Sequence, residues 1–257
     1  MSPYPRTDAP SALPAAVPEL RMRHYEHLQW GSDHLRLAPW RGDPTIAELA
    51  PAVAGRPPTA QTVRHGLELV HRRGYRSVIT SALAPQEQYG YLHAGFEVHE
   101  RLHLLARSLD RLPEAPSGGR LRRGRRRDLA AILAVDAAAF EPFWQLDRLR
   151  FDDARRATPT SRLRVTAGAE VVGYAITGRA GARGYLQRLA VRPDEQGRGW
   201  GTALVVDSLR WLRRRGAHSV TVNTQEANAA ALALYRRLGF TPRPDGLAVL
   251  SYRFETA

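Results

Sequence analysis

Apolar positions recur with two alternating periods in the second half of this chain, and they predict a succession of strands and helices. Ser219–Thr224 (Ser-Val-Thr-Val-Asn-Thr) is β-branched with period-two alternation, which reads as a strand. Asn228 then stands at an N-cap position before an alanine- and leucine-rich run. Gly239 suits the residue after that helix, and Pro242 prevents its continuation. The same reading places a strand near Leu121, helices over Asp128–Ala138 and Leu146–Ala157, and strands at Arg162–Thr166, Glu170–Thr177 and Tyr185–Val191. A helix over 202–215, a strand over 218–224, a helix over 228–238 and a final strand region over 240–254 complete the series.

The first half echoes the second. His71-Arg-Arg-Gly-Tyr-Arg-Ser-Val78 matches Arg213-Arg-Arg-Gly-Ala-His-Ser-Val220 without a gap, and Tyr91-Leu-His-Ala-Gly-Phe96 matches Tyr235-Arg-Arg-Leu-Gly-Phe240. This predicts a degenerate second copy of a helix–strand–helix–strand unit. The division expected from composition is a proline-rich disordered tail at 1–18, a smaller domain at 19–112, a linker at 113–119 and a larger domain at 120–257.

The most informative segment is Leu186-Gln-Arg-Leu-Ala-Val-Arg-Pro-Asp-Glu-Gln-Gly-Arg-Gly-Trp-Gly201. A strand ends at Val191, and glycines 197, 199 and 201 lead into a helix. Alternate glycines let the backbone curl and turn its N–H groups on one point at a helix N-terminus, which suits a phosphate group. The first copy lacks this loop: Gly55-Arg-Pro-Pro-Thr-Ala-Gln61 stands there, and prolines donate no N–H. Only the copy with the glycines is expected to bind a ligand, and Tyr91 is expected to be structural.

The loop matches Gln/Arg-x-x-Gly-x-Gly/Ala after a strand ending in Val-x-Pro. Asn223–Phe240 matches Asn-x-x-Ala-x-x-x-Tyr-x-x-x-Gly-Phe. In both, and in their order, the chain resembles the GNAT acetyltransferase superfamily over roughly residues 119–255. The resemblance implies an α+β fold (three-layer α/β) with a mixed, splayed central sheet, plus a smaller N-terminal GNAT-like half. It implies acetyl-CoA as co-substrate, held by the strand residues Leu189, Ala190 and Val191, by the loop Gln196, Gly197, Arg198, Gly199, Trp200, Gly201 and Thr202, and by Asn228. It also implies Tyr235 as general acid toward the CoA sulfur, and an acceptor site around Glu141, Phe143, Trp144 and Asn223. Helix capping alone explains Asn228, packing alone explains Tyr235, and core packing between helices explains Phe140–Trp144 equally well. No spacing selects a general base among Glu226, Glu141, Asp136 and Asp147. The function implied is N-acetyl transfer to a primary amine of a small molecule, peptide or protein. The other reading is a non-catalytic acyl-CoA-binding module.

Composition narrows these readings. With no cysteine, thiolate catalysis and thiolate-bound metal are excluded. The histidines show no metal-ligand spacing, so no metal is expected. The net charge of +13 comes from arginine alone, because the sequence has no lysine. It suits anionic ligands, but the run Arg120–Arg127 has no interleaved aromatics, and no specific nucleic-acid partner is expected. No run of about 18 apolar residues marks a membrane span, and the N-terminus lacks signal-peptide character. The expectation is a cytoplasmic protein, with monomer and homodimer both open.

Overall fold

The computed structural model describes residues 25–41, 43–53, 56–114 and 120–255. The expected tail at 1–18 and residues 115–119 of the expected linker lie outside them. Three antiparallel strands open the described chain: β1 (Glu26–Trp30), β2 (Asp33–Trp40) and β3 (Asp43–Pro51). The repeated unit follows as α1 (Ala60–Arg72), β4 (Ser77–Ile79), α2 (Pro85–Leu92) and β5 (Glu97–Ser108). The second half runs β6 (Leu121–Arg123), α3 (Leu129–Ala139), α4 (Arg148–Arg156), β7 (Thr160–Thr166), β8 (Gly173–Ala180) and β9 (Arg183–Val191). It ends with α5 (Trp200–Arg214), β10 (Ser219–Gln225), α6 (Ala229–Arg237), β11 (Thr241–Pro242) and β12 (Leu247–Arg253).

The predicted helices and strands of the second half are all present, with shifted ends. β8 begins at Gly173, later than expected, because the Thr166 hydroxyl accepts the N–H groups of Val172 and Gly173 and holds the preceding residues in a turn. α5 begins at Trp200, two residues early, because Gly199 takes the N-cap with φ +86. α4 starts late because Asp147 caps it, its carboxylate accepting the Arg150 N–H at 2.7 Å. In the first half, β1–β2–β3 correspond to β7–β8–β9. Among the described residues nothing there corresponds to α3 and α4.

All the strands belong to one sheet with the order β1-β2-β3-β4-β12-β5-β10-β9-β8-β7-β6, and β11 pairs β5 off this path. Two contacts are parallel, β3 with β4 and β9 with β10. The two halves exchange their last strands. β5, from the first half, runs antiparallel to β10 along Ser219↔Ser108 to Gln225↔Leu102. β12, from the second half, pairs with β4 and with β5. The cores follow the exchange: Leu105 and Leu109 pack into the cluster around α5 and α6, while Ala248 and Leu250 pack into the cluster around α1. The sequence division at 113–119 therefore does not separate two self-contained cores.

The first copy closes its own helix N-terminus. Thr59 caps α1, and the Asp33 carboxylate accepts the Thr59 N–H at 2.9 Å and the hydroxyls of Thr59 at 2.9 Å and Thr62 at 2.8 Å. These bonds hold the Asp33 carboxyl below its ordinary range, led by the Thr59 N–H. A side-chain anion thus lies where the second copy leaves an open helix end. Tyr91, the counterpart of Tyr235, is fully buried with its hydroxyl unpartnered.

Candidate active site

β9 and β10 are paired only over Arg183–Tyr185 and Ser219–Thr221, and beyond these residues they part. The cause is local. Leu186 and Arg188 oppose the consecutive residues Thr177 and Ile176 of β8, so Gln187 is an extra residue in β9. Such a bulge bends and twists a strand. β9 turns away with β8 while β10 stays with β5, and a cleft of about 290 Å³ opens between them. Leu186–Leu189 line one wall and Val222–Gln225 the other.

The glycine loop lies at the end of β9. Gly197 and Gly199 have φ of +76 and +86, a region that side chains disfavour, and a Cβ at either would meet nothing within 4 Å. Gln196 ties the loop back to the strand, its side-chain amide donating to the Val191 carbonyl at 3.1 Å. Among the described residues, the N–H groups of residues 197–202 have no internal acceptor; the first helical bond of α5 is Ala203 N–H to Gly199 C=O. Six successive donors at a helix N-terminus suit an anion. Arg198 is exposed and pairs with Glu195.

Tyr235 lines the cleft from α6 and is only 4% exposed, its ring against Phe240. Its hydroxyl has no hydrogen-bond partner among the described residues. Burial holds it well above the ordinary phenol value, so it is a proton-bearing donor at every working pH. Asn228 also lines the cleft while capping α6, its Oδ1 accepting the Ala231 N–H at 3.0 Å. Asn223 lines the opposite side of the cleft from Leu189.

Of the other expected acceptor residues, Trp144 lines the cleft. Phe143 packs behind it against Trp40, at 5.3 Å between rings, and does not line the cleft. Glu141 is exposed and does not line the cleft; it stands at the start of the short turn Pro142–Trp144, where its backbone carbonyl accepts the Trp144 N–H. The four carboxylates weighed as bases do not converge on the cleft either. Asp136 is fully buried and accepts from Arg188 through two bonds of 2.8 Å, from the Leu146 N–H and from the Tyr174 hydroxyl. Asp147 is a helix cap, and Glu226 is exposed.

Residues that sequence reasoning did not select complete the cleft. Trp40, Arg41 and Thr80–Ala82 of the first half form part of its wall, and Arg188 lies on the Phe140 ring at 3.5 Å. Among the described residues, no aspartate or glutamate lines it.

Comparisons with known proteins agree with this geometry. The model of the acetyltransferase (GNAT) family matches residues 129–240, which include the splay, the glycine loop and Tyr235. Over these residues the chain is similar to the GNAT acetyltransferase family. Mycothiol acetyltransferase of Saccharomonospora viridis is 36% identical over 149 residues, covering 50% of this chain and 47% of that protein. The chain thus spans about half the length of the curated relatives it matches. Two solved structures match over most of the chain. One is a tandem GNAT protein from the clavulanic acid biosynthesis pathway, with TM-score 0.66 and 17% identity, covering 89% of this chain and 82% of that one. The other is a GCN5-related N-acetyltransferase from Kribbella flavida, with TM-score 0.63 and 17% identity, covering 90% of each. Their coverage extends the likeness of fold through the first half, so the GNAT fold with a smaller GNAT-like half is the architecture found.

Among the described residues, no group of three or more histidines and acids could hold a metal ion, and no helix is long and apolar enough to cross a membrane.

Proposed function

We propose that the chain transfers the acetyl group of acetyl-CoA to a primary amine of a small molecule, in the cleft between β9 and β10. The observation that carries this reading is the run of N–H groups at residues 197–202, without an acceptor among the described residues, just after β9, the strand whose Leu186–Leu189 line the cleft with Tyr235. Acetyl-CoA supplies an activated acetyl thioester. The loop N–H groups would hold its pyrophosphate, and the edge of β9 at Leu189–Val191, unpaired toward β10, would hold its pantetheine arm and offer an N–H to the thioester oxygen. The open loop, free of any clash at Gly197 and Gly199, fits that group.

In the reaction, the amine nitrogen forms a bond to the acetyl carbon and the carbon–sulfur bond breaks. The Tyr235 hydroxyl stabilises the departing sulfur by donating a hydrogen bond. Its raised pKa makes it a hydrogen-bond donor in preference to a full proton source. With no carboxylate lining the cleft among the described residues, the amine's proton leaves to water. A wall built partly from Trp40 and Arg41 narrows the acceptor end, and relatives named for mycothiol support a small-molecule acceptor. The cytoplasmic location expected from the sequence goes with this reading.

The test is release of free CoA thiol from acetyl-CoA across a panel of small-molecule amines, alongside the melting temperature with acetyl-CoA. Turnover with any acceptor supports the transferase. A raised melting temperature with no turnover on the whole panel would overturn it in favour of a non-catalytic binding module.

A further inference from the structure

Arg41 occupies an unusual position. It follows Trp40 at the end of β2, and Trp40 is paired with Asp43 at the start of β3. Its φ is +53, and no other non-glycine among the described residues has a positive φ. Glycine, asparagine or aspartate take this conformation at less cost than arginine does. The side chain lines the cleft, with its guanidinium 4.8 Å from the Trp40 ring and 5.8 Å from the Trp144 ring. Its Nε and Nη1 are buried and have no hydrogen-bond partner.

Neighbouring arginines have counter-ions and Arg41 has none. Arg188 is neutralised by Asp136 at 2.8 Å, and Arg150 by the buried Glu48 at 2.6 Å. Among the described residues, no carboxylate lies within 4 Å of Arg41. Burial, then the charges of Arg188 and Arg150, outweigh the opposing charges of Asp136 and Asp147 and pull the Arg41 guanidinium down to about 10. A half-buried cation with no ion-pair partner among the described residues, on a costly backbone conformation, is held there by the rest of the fold. Among the described residues the cleft lining holds no acid, and Arg41 is its one arginine without an ion-pair partner, so the cleft repels a second cation on the acceptor and favours the neutral form of its amine.

We propose that Arg41 is the specificity residue of the acceptor site and takes a carboxylate carried by the same molecule as the amine. The acceptor is then an amino acid or an amino-acid-like acid, and a lysine side chain or polyamine is rejected. The guanidinium fork matches a planar carboxylate, and it lies over the Trp40 ring with the Trp144 ring 5.8 Å away. The same aromatic rings, with Phe140, give an apolar or aromatic side chain its wall. The inference rests on the transferase reading above.

The experiment uses the full chain saturated with CoA. N-acetyl-L-phenylalanine and N-acetyl-L-phenylalaninamide are titrated by calorimetry, and turnover is measured on L-phenylalanine, its amide and its phosphonate analogue. We expect the acid to bind about tenfold or more tighter than the amide, and to be the best of the three acceptors. Arg41→Asn, which suits the left-handed turn, is expected to abolish the preference through KM for the acid and to melt no lower than the wild type. Arg41→Lys is expected to keep part of the preference. Equal binding of acid and amide, a better phosphonate, or an undiminished preference in Arg41→Asn overturns the proposal. Preferential binding of the acid with no turnover on any of the three leaves Arg41 recognition standing and counts against the transferase reading. Turnover without preference does the reverse.

Discussion

Arg188 grips Asp136 with Nε and Nη2, each 2.8 Å from a carboxylate oxygen, and so ties the bulged wall of the cleft to α3. Nη2 also donates to the Trp144 carbonyl at 2.7 Å, and Asp136 accepts the Leu146 N–H at 2.6 Å. The pair thus fixes the aromatic segment between α3 and α4 against β9. Removing one partner of a buried ion pair strands the other charge. Asp136→Ala is expected to cost about 3–5 kcal/mol of stability, read by chemical denaturation. A loss under about 1 kcal/mol would show that the pair does not hold the wall.

Tyr235 gives a prediction on rate. Tyr235→Phe keeps the ring against Phe240 and removes only the hydroxyl. Turnover is expected to fall by about 10²-fold, with acetyl-CoA affinity from calorimetry nearly unchanged. Undiminished turnover would leave the tyrosine as a packing residue like Tyr91.

The sequence made the second half readable where local signals and motif agreed. Asn228, Gly239 and Pro242 bracket α6 by chemistry that acts within a few residues, and the glycines of 197–201 mark a tight turn into a helix start. The strand exchange was not readable. β5 and β12 show an apolar pattern that suits either half, and only tertiary pairing decides that Leu105 faces the core of α5 while Leu250 faces that of α1. Arg41 was hidden for a similar reason. Nothing near it in sequence marks chemistry, and it reaches the cleft because a hairpin of the first half is laid against Trp144. The bulge at Gln187, which opens the cleft, comes from register and leaves no pattern of residue types.

The two helix N-termini of the repeat should respond oppositely to substitution. Gly199→Ala places a side chain at φ +86, which costs about 1–2 kcal/mol although the Cβ itself meets no atom. Relief of that strain rotates the loop N–H groups, so acetyl-CoA binding is expected to weaken about tenfold. Asp33→Ala is expected to cost a similar amount of stability, about 1–2 kcal/mol, by removing the acceptor that holds the Thr59 cap and Thr62 at the start of α1. Its acetyl-CoA affinity is expected to remain that of the wild type. A drop in affinity in that variant would contradict the separation of the two sites.

Acid stability should depend on Asp128. Its carboxylate takes two bonds from Arg122, at 2.7 and 2.8 Å, and the Arg125 N–H at 2.7 Å. Arg122 is the chief cause that lowers it from 3.8 to about 2. A depressed carboxylate stabilises the fold above its unfolded value and loses that contribution as pH falls through the folded one. Wild type is therefore expected to exceed Asp128→Asn by about 1–2 kcal/mol at pH 7, with the gap closing between about pH 4 and pH 2. A gap independent of pH would assign the effect to packing.

The exchanged strands predict that neither half folds alone. Residues 120–257 expressed by themselves lack β5, which leaves all seven residues of β10 without their antiparallel partner and removes Leu105 and Leu109 from the core around α5. An open apolar edge of that kind pairs with other chains. The fragment is expected to aggregate or to show no cooperative melting transition. Co-expression with residues 1–114 is expected to restore a soluble complex, because β5 can then enter between β10 and β12 from a separate chain. A soluble 120–257 fragment with a sharp transition and unaltered acetyl-CoA binding would mean that the second half closes its sheet without the first.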